Sequence, residues 1–371
     1  MAQQDDGPVQ LNLGKLIGKR WKICSKLGEG GCGAVYKVED IKTRAKAALK
    51  AESNFVSGGS VLKLEAQILR RLSGRKHVAQ LLHAGKKERY CYMVMTLFGK
   101  SLDDIFRQCN KEFTYSTQVR IGIHILYGLK QLHEVGYVHR DIKPANLALG
   151  SSGKEAKIVH LLDFGLSREY IIVIDGKVQM RKERTNTLFR GTVKYCSANS
   201  HTRAEQGRPD DLWSMLYVLA EMRSPLPWSH LREKREVGKL KQSTSDAKVL
   251  AKCPVQMLEI VKHVRELGYY NRPDYLKIYR ILNNIMATYN YKFLDPYDWD
   301  LINKPASCKS NLRSKVKTVE DCSQDNTLEI GDKKIPTKDS KDVDRKVEDE
   351  GNADEGAIYK AADFAKNELG F

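Results

Sequence analysis

The run Val138-His139-Arg140-Asp141-Ile142-Lys143-Pro144-Ala145-Asn146 is followed, seventeen positions after its asparagine, by Asp163-Phe164-Gly165. Together these residues offer a carboxylate for an incoming hydroxyl (Asp141), a cation beside it (Lys143) and two oxygen donors suited to magnesium (Asn146 and Asp163). That set suits phosphoryl transfer from a metal-bound triphosphate, where positioning and charge stabilisation supply most of the catalysis. Asp-Phe-Gly alone arises by chance; both segments at this separation do not. Asp141 is expected to orient the hydroxyl and accept its proton late. Thr192, in Arg190-Gly191-Thr192-Val193-Lys194-Tyr195, is expected to hydrogen-bond between Asp141 and Lys143 and so to help select Ser or Thr acceptors. Arg140 and His139 are assigned to scaffolding, His139 packing near Asp163, and Asp211 to anchoring the loop backbone.

A triphosphate needs a holder. Leu27-Gly28-Glu29-Gly30-Gly31-Cys32-Gly33-Ala34-Val35 fits a glycine-rich loop whose backbone can lie close over phosphate oxygens, with Val35 capping adenine. Alone, that motif is equally a plain glycine turn or a dinucleotide-binding turn. The second needs a helix after the glycines, and Ala34–Glu39 reads as strand. The next landmark decides. Ala47-Ala48-Leu49-Lys50 ends the following strand, placing Lys50 for the α- and β-phosphates and Ala48 against adenine. Such a lysine needs a carboxylate, and Glu65, on a helix patterned over 60–73, is the candidate.

The elements that position these groups fall into two parts. From Trp21 to about Val94 the chain reads as a small, mostly β lobe with one main helix. Beyond Leu97-Phe98-Gly99 it turns helical, with apolar stripes over 116–135 and 211–222 and further helices near 254–267 and 273–288. Residues 1–17 read as a short leader. The segment 301–371, rich in Lys, Asp, Glu, Ser and Asn, reads as a flexible charged tail.

The 371 residues carry a net charge of +17, distributed as −2 from residue 301 onward and +19 before it. That basic excess favours acidic or phosphorylated partners. The eight cysteines include no Cys-x-x-Cys pair, which argues against a structural zinc site or a disulfide framework. The first residues lack the pattern of a signal peptide, and no apolar run is long enough to span a bilayer. An intracellular protein, cytoplasmic and also nuclear, monomeric and without a membrane or nucleic-acid partner, is the expectation.

With Ser197-Ala198-Asn199 where Ala-Pro-Glu is usual, and with Gly191-Thr192-Val193-Lys194-Tyr195 and Leu226-Pro227-Trp228, the chain resembles protein kinases of the casein kinase 1 superfamily. Val61-Leu62-Lys63-Leu64-Glu65 and Gly207-Arg208-Pro209-Asp210-Asp211-Leu212-Trp213-Ser214 are similar to its tau-tubulin kinase branch. The resemblance covers about residues 18–294, with a small lobe to about 96 and a large one from about 97. It implies an α+β bilobal protein kinase fold with a β-rich N-lobe and a mostly helical C-lobe. It also implies an ATP and Mg2+ requirement and phosphorylation of Ser/Thr in acidic, already phosphorylated or cytoskeletal proteins. Met95 falls at the gatekeeper position and Leu97 on the hinge, and Lys143 marks the serine/threonine type. Lys194 and Arg232 fall on two positions of a substrate-side anion site, although Lys194 replaces a more usual Arg and loses its bidentate fork. A missing Ala-Pro-Glu glutamate means its salt bridge must be replaced by other packing.

Two other classes compete. A pseudokinase scaffold would usually lack one of Lys50, Glu65, Asp141, Asn146 and Asp163, and all five are present. A nucleic-acid-binding module would use the basic excess, but no aromatic-basic interleaving supports it.

Overall fold

The computed structural model describes residues 9–30, 33–55, 59–302 and 358–371. The N-terminal lobe is a six-stranded antiparallel sheet ordered β1-β2-β3-β4-β6-β5. Its strands are β1 (Leu16–Ile17), β2 (Trp21–Gly30), β3 (Gly33–Asp40), β4 (Lys46–Ser53), β5 (Leu81–Lys86) and β6 (Tyr90–Met95). Between β4 and β5 lies helix α1 (Val61–Arg71), started by Ser60, whose hydroxyl accepts from the Lys63 N–H at 3.1 Å. Leu62, Ala66, Ile68 and Leu69 make its buried face, and Glu65 lies on that same face. A carboxylate on an apolar stripe needs a cation opposite it.

The C-terminal lobe is built on α3 (Tyr115–Glu134), every residue of which is buried. Close approach is designed into it: a Cβ on Gly128 would lie 2.8 Å from the Leu161 side chain. Helix α3 packs against α5 (Arg208–Glu221) and α9 (Tyr275–Thr288), with α8 (Met257–Arg265) beside them. Strand β7 (Phe98–Ser101) pairs with β9 (Leu147–Gly150), and β9 with β10 (Val159–Leu161). Helix α2 (Leu102–Gln108) contacts this small sheet. After Asp163-Phe164-Gly165, β11 (Arg168–Glu169) pairs with β8 (Tyr137–Val138), and β12 (Ile171–Ile174) with β13 (Lys177–Met180). Short helices α4 (Ala198–His201), α6 (Lys234–Ser243) and α7 (Asp246–Val249) complete the lobe. The expected bilobal α+β architecture is present, and the five helices read from periodicity are α1, α3, α5, α8 and α9.

Both chain ends depart from expectation. The leader reading is corrected for residues 9–17: Leu11 and Ile17 are buried, and Tyr36 Oη donates to the Val9 carbonyl at 2.8 Å. Two apolar side chains and the Tyr36 hydroxyl hold this short segment on the sheet despite the polar residues around them. The flexible-tail reading is corrected for residues 358–371, because Tyr359 and Phe364 are fully buried in the C-lobe. Burying such aromatics contributes about 1.5–3 kcal/mol each, enough to order a short segment that its average composition did not favour. The remainder of the tail, 303–357, lies outside the described residues.

Buried histidines give the fold an acid limit. His124 is held between Tyr359 Oη (2.8 Å) and Tyr297 Oη (3.0 Å), and His133 between Tyr275 Oη (2.6 Å) and Asp211 (2.9 Å). Burial lowers both pKa values, with Asp211 partly opposing it at His133. A depressed histidine pKa stabilises the fold above the unfolded value of about 6.5 and loses that contribution as pH falls toward the folded value. Stability and melting temperature should therefore fall as pH drops from 7.5 to 5.5, most steeply below about 6.5. His124→Phe should flatten the slope in thermal melts, and an unchanged slope contradicts the assignment.

Candidate active site

Register fixes one face of the N-lobe sheet. Val35 lies opposite Lys50, Lys50 opposite Met93, and Ala48 opposite Met95. Cross-strand partners and alternate residues share a face, so Val35, Ala48, Lys50 and Met95 look the same way. Ala48 is buried, while Val35, Met95 and Leu97 are half-buried and Leu27 is exposed. Gly28 and Gly30 end β2, and Gly30 pairs with Gly33 across the hairpin. Gly33 has φ +105°, and a Cβ there would sit 2.1 Å from the Ala51 carbonyl oxygen, so only glycine fits. Ala34 is buried and Glu29 is paired with Lys26. Gly31 and Cys32 lie outside the described residues.

Lys50 crosses from β4 to α1. Its Nζ meets Glu65 at 2.6 Å and Asp163 at 3.4 Å. Burial raises the Glu65 pKa, with Lys50 pulling against it. At Asp163 burial also pushes up, but Lys50, His139 and the Gly165 N–H outweigh it and hold the carboxyl below its usual range. Asp163 takes a left-handed backbone (φ 61°) and Arg140 another (φ 67°), conformations that persist only where surroundings enforce them.

The loop around Asp141 is a closed hydrogen-bond set. Asp141 accepts from Thr192 Oγ1 at 2.7 Å and from Lys143 Nζ at 2.7 Å. Lys143 also reaches Thr192 at 3.3 Å, and Asn146 Nδ2 donates to the Asp141 carbonyl at 2.9 Å. Gly191 permits this approach: a Cβ there would meet the Arg140 carbonyl at 2.5 Å. Beneath, Asp211 accepts from the backbone N–H groups of His139 (2.7 Å) and Arg140 (2.8 Å). His139 Nε2 donates to the Leu162 carbonyl at 3.0 Å, and its ring lies against Phe164. Arg140 Nε donates to the Leu166 carbonyl at 2.7 Å. The arrangement can orient a hydroxyl beside a carboxylate and a cation, next to a second carboxylate able to take a metal.

The substrate side differs from expectation. Lys194 is ion-paired with Glu221, so its charge is neutralised rather than free for an anion. Arg232 is exposed, and among the described residues no hydrogen bond or ion pair joins it to Lys194. Tyr195 Oη also donates to Glu221, and Trp228 Nε1 to the Lys194 carbonyl at 2.8 Å. Sequence reasoning missed Glu221, because nothing local marks a partner 27 residues away. It missed Lys241 too, which is buried and donates to the Val193 (2.7 Å) and Cys196 (2.5 Å) carbonyls. Where Ala-Pro-Glu is absent, Ser197 donates to Asp210, which also accepts from the Gly207 N–H at 2.7 Å. Asp210 is pushed up to about 6, chiefly by burial.

A β-sheet lobe and a helical lobe that meet where Lys50 reaches Asp163 are the arrangement of a protein kinase. The family described as protein kinase domain matches residues 21–281, and the chain belongs to it. A Caenorhabditis elegans protein with a provisional serine/threonine-protein kinase name is 45% identical over 369 residues, covering 99% of both chains. A Dictyostelium discoideum protein with a similar provisional name is 34% identical over 79% of this chain and 59% of its own. A second Caenorhabditis elegans protein, named an inactive tau-tubulin kinase, is 34% identical over 64% of this chain and 86% of its own. The protein is a serine/threonine-protein kinase.

The Asp211 anchor makes a separable prediction. Asp211→Asn keeps the shape but removes the charge that two backbone donors and His133 share. It should cost about 3 kcal/mol of stability in urea denaturation and lower turnover. Stability unchanged from wild type contradicts the anchoring role.

Proposed function

We propose that this kinase uses ATP and Mg2+ to phosphorylate Ser or Thr hydroxyls of proteins. The observation that carries this reading is Lys50 held between Glu65 and Asp163 at 2.6 and 3.4 Å. In it, Leu27 through Val35 cover the phosphates and adenine, Ala48, Met95 and Leu97 line the base, and Lys50 binds the α- and β-phosphates. Asn146 and Asp163 fit a magnesium ion. Asn146 spends its Nδ2 on Asp141 and keeps its oxygen available, and the Asp163 side chain is 43% exposed. When bound, that ion neutralises developing phosphate charge. Asp141 then orients the hydroxyl and takes its proton, Lys143 stabilises the γ-phosphate, and Thr192 holds both.

The chain is best placed in the casein kinase 1 superfamily, near the tau-tubulin branch. The relative with a tau-tubulin kinase name supports this, as do Gly191–Tyr195 and Ser197–Asn199. That relative is named inactive, so a scaffold without turnover is the competing reading. All five polar groups are in place here, which favours catalysis. We bound the catalytic domain at about 9–302, a range supported by the burial of Leu11, Ile17 and Tyr297. Among the described residues Cys24, Cys91, Cys109, Cys196 and Cys253 are free thiols, and a cytoplasmic or nuclear location is part of the proposal. Among the described residues no helix is long and apolar enough to cross a membrane. Acidic proteins, cytoskeletal ones included, remain the substrate class that the basic catalytic domain favours, with the kinase acting as a monomer.

Asp141→Asn should lower phosphorylation of an acidic protein by labelled ATP at least about a hundredfold while the melting temperature holds; equal turnover refutes the role. Glu221→Gln frees Lys194 and should raise kcat/KM for acidic peptides relative to neutral ones. No change in that ratio removes Lys194 from substrate recognition.

A further inference from the structure

The last described segment, residues 358–371, ties together two parts of the kinase that must be held in register for Lys50 to work. Tyr359 fills a groove lined by His77, His124, Tyr127 and Phe293, with ring centroids 4.6–6.2 Å away. Its hydroxyl meets His124 at 2.8 Å, and its carbonyl accepts from Tyr279 Oη at 3.2 Å. Phe364, fully buried, stacks on Tyr279 at 4.3 Å and 11°. Glu368 is clamped by Arg75, with one contact at 2.9 Å, while Leu369 and Phe371 pack on Val138, Tyr170 and Ile171. Arg208 donates to the Phe371 carbonyl at 3.2 Å.

Arg75 and His77 follow α1, the helix that carries Glu65. Tyr170 and Ile171 follow β11, just beyond Asp163. One segment thus grips the chain after each of the two carboxylates that meet Lys50. In this docked state the Lys50–Glu65 contact is formed. The Caenorhabditis elegans relative aligns over 99% of this chain, so the similarity extends into this segment. We propose that the aromatic groove between α3, α9 and the turn after α1 is a docking site for the chain's own residues 358–371, and that docking raises catalytic competence by holding α1 and the segment after Asp163 together. None of the contacts named above for this segment is to Asp141, Lys143 or Thr192, so docking does not occupy that set.

The test uses the full chain and rests on the kinase reading only for its rate. Glu368→Arg and Arg75→Glu break a partly exposed pair without opening the core, and the double swap Arg75→Glu/Glu368→Arg restores it. Phe364→Ala is the more severe variant, complemented by a synthetic peptide of residues 358–371. Each single variant should raise hydrogen exchange in β8, β11 and the end of α1 and lower kcat/KM for ATP at least about fivefold, in the range usual for coupled sites. The swap, and the peptide added to Phe364→Ala, should restore both. A segment released by these variants, as judged by exchange, with kcat/KM unchanged overturns the proposal, as does a rate loss that the swap does not rescue. Exchange reads docking without catalysis. A chain that transfers no phosphate therefore sinks the kinase reading and leaves the docking result standing.

Discussion

A lysine and a glutamate buried together, Lys50 and Glu65, are the constraint around which the N-lobe is organised. Neither is more than a tenth exposed, so each carries a desolvation penalty that their pairing offsets, helped at Lys50 by Asp163. Glu65 can be on the apolar face of α1 only because Lys50 reaches across from β4. Lys50 can point there only because β3 and β6 hold β4 from both sides in fixed register. Asp163 joins as a third charge, which leaves the cleft with two carboxylates around one cation.

The C-lobe solves a different problem, that of holding a polar loop rigid inside an apolar body. Its solution is a backbone tied to one buried carboxylate, Asp211, which is itself tied to His133 on α3 and through it to Tyr275 on α9. The Asp141 loop is thereby fastened through α5 to α3 and α9. Thr192 and Gly191 then bring the later segment against that loop closely enough for Asp141, Lys143 and Thr192 to form one set of contacts. Preorganisation of this kind lets a site act without rearranging during the reaction.

Much of this was legible in the residues. Asp141, Lys143, Asn146 and Asp163 are polar groups at fixed local spacings, and local spacing survives translation into structure. Lys50 and Glu65 were legible as a pair because a lysine closing Ala47-Ala48-Leu49-Lys50 needs a carboxylate and the next helix offers one, although β4 runs past Lys50 to Ser53. Lys194 was not, since its neutralising partner Glu221 comes from α5 and no pattern links the two. Lys241 was missed for a related reason: it caps carbonyls of a distant turn, a role that any surface lysine would share in sequence. At the carboxyl end, two aromatic side chains within a charged stretch were outweighed by their neighbours. Composition averages over a window, whereas burial acts on single side chains.

The central claim is that the Lys50–Glu65 pair sets the active geometry rather than merely filling space. Replacing Glu65 by Gln keeps its volume and removes its charge, so initial-rate phosphorylation by the Glu65→Gln chain isolates the electrostatic role. The account predicts a fall in kcat/KM for ATP of about a hundredfold, the scale of losing one preorganised electrostatic contact, in protein that still melts cooperatively. Turnover equal to that of the unaltered chain would contradict it.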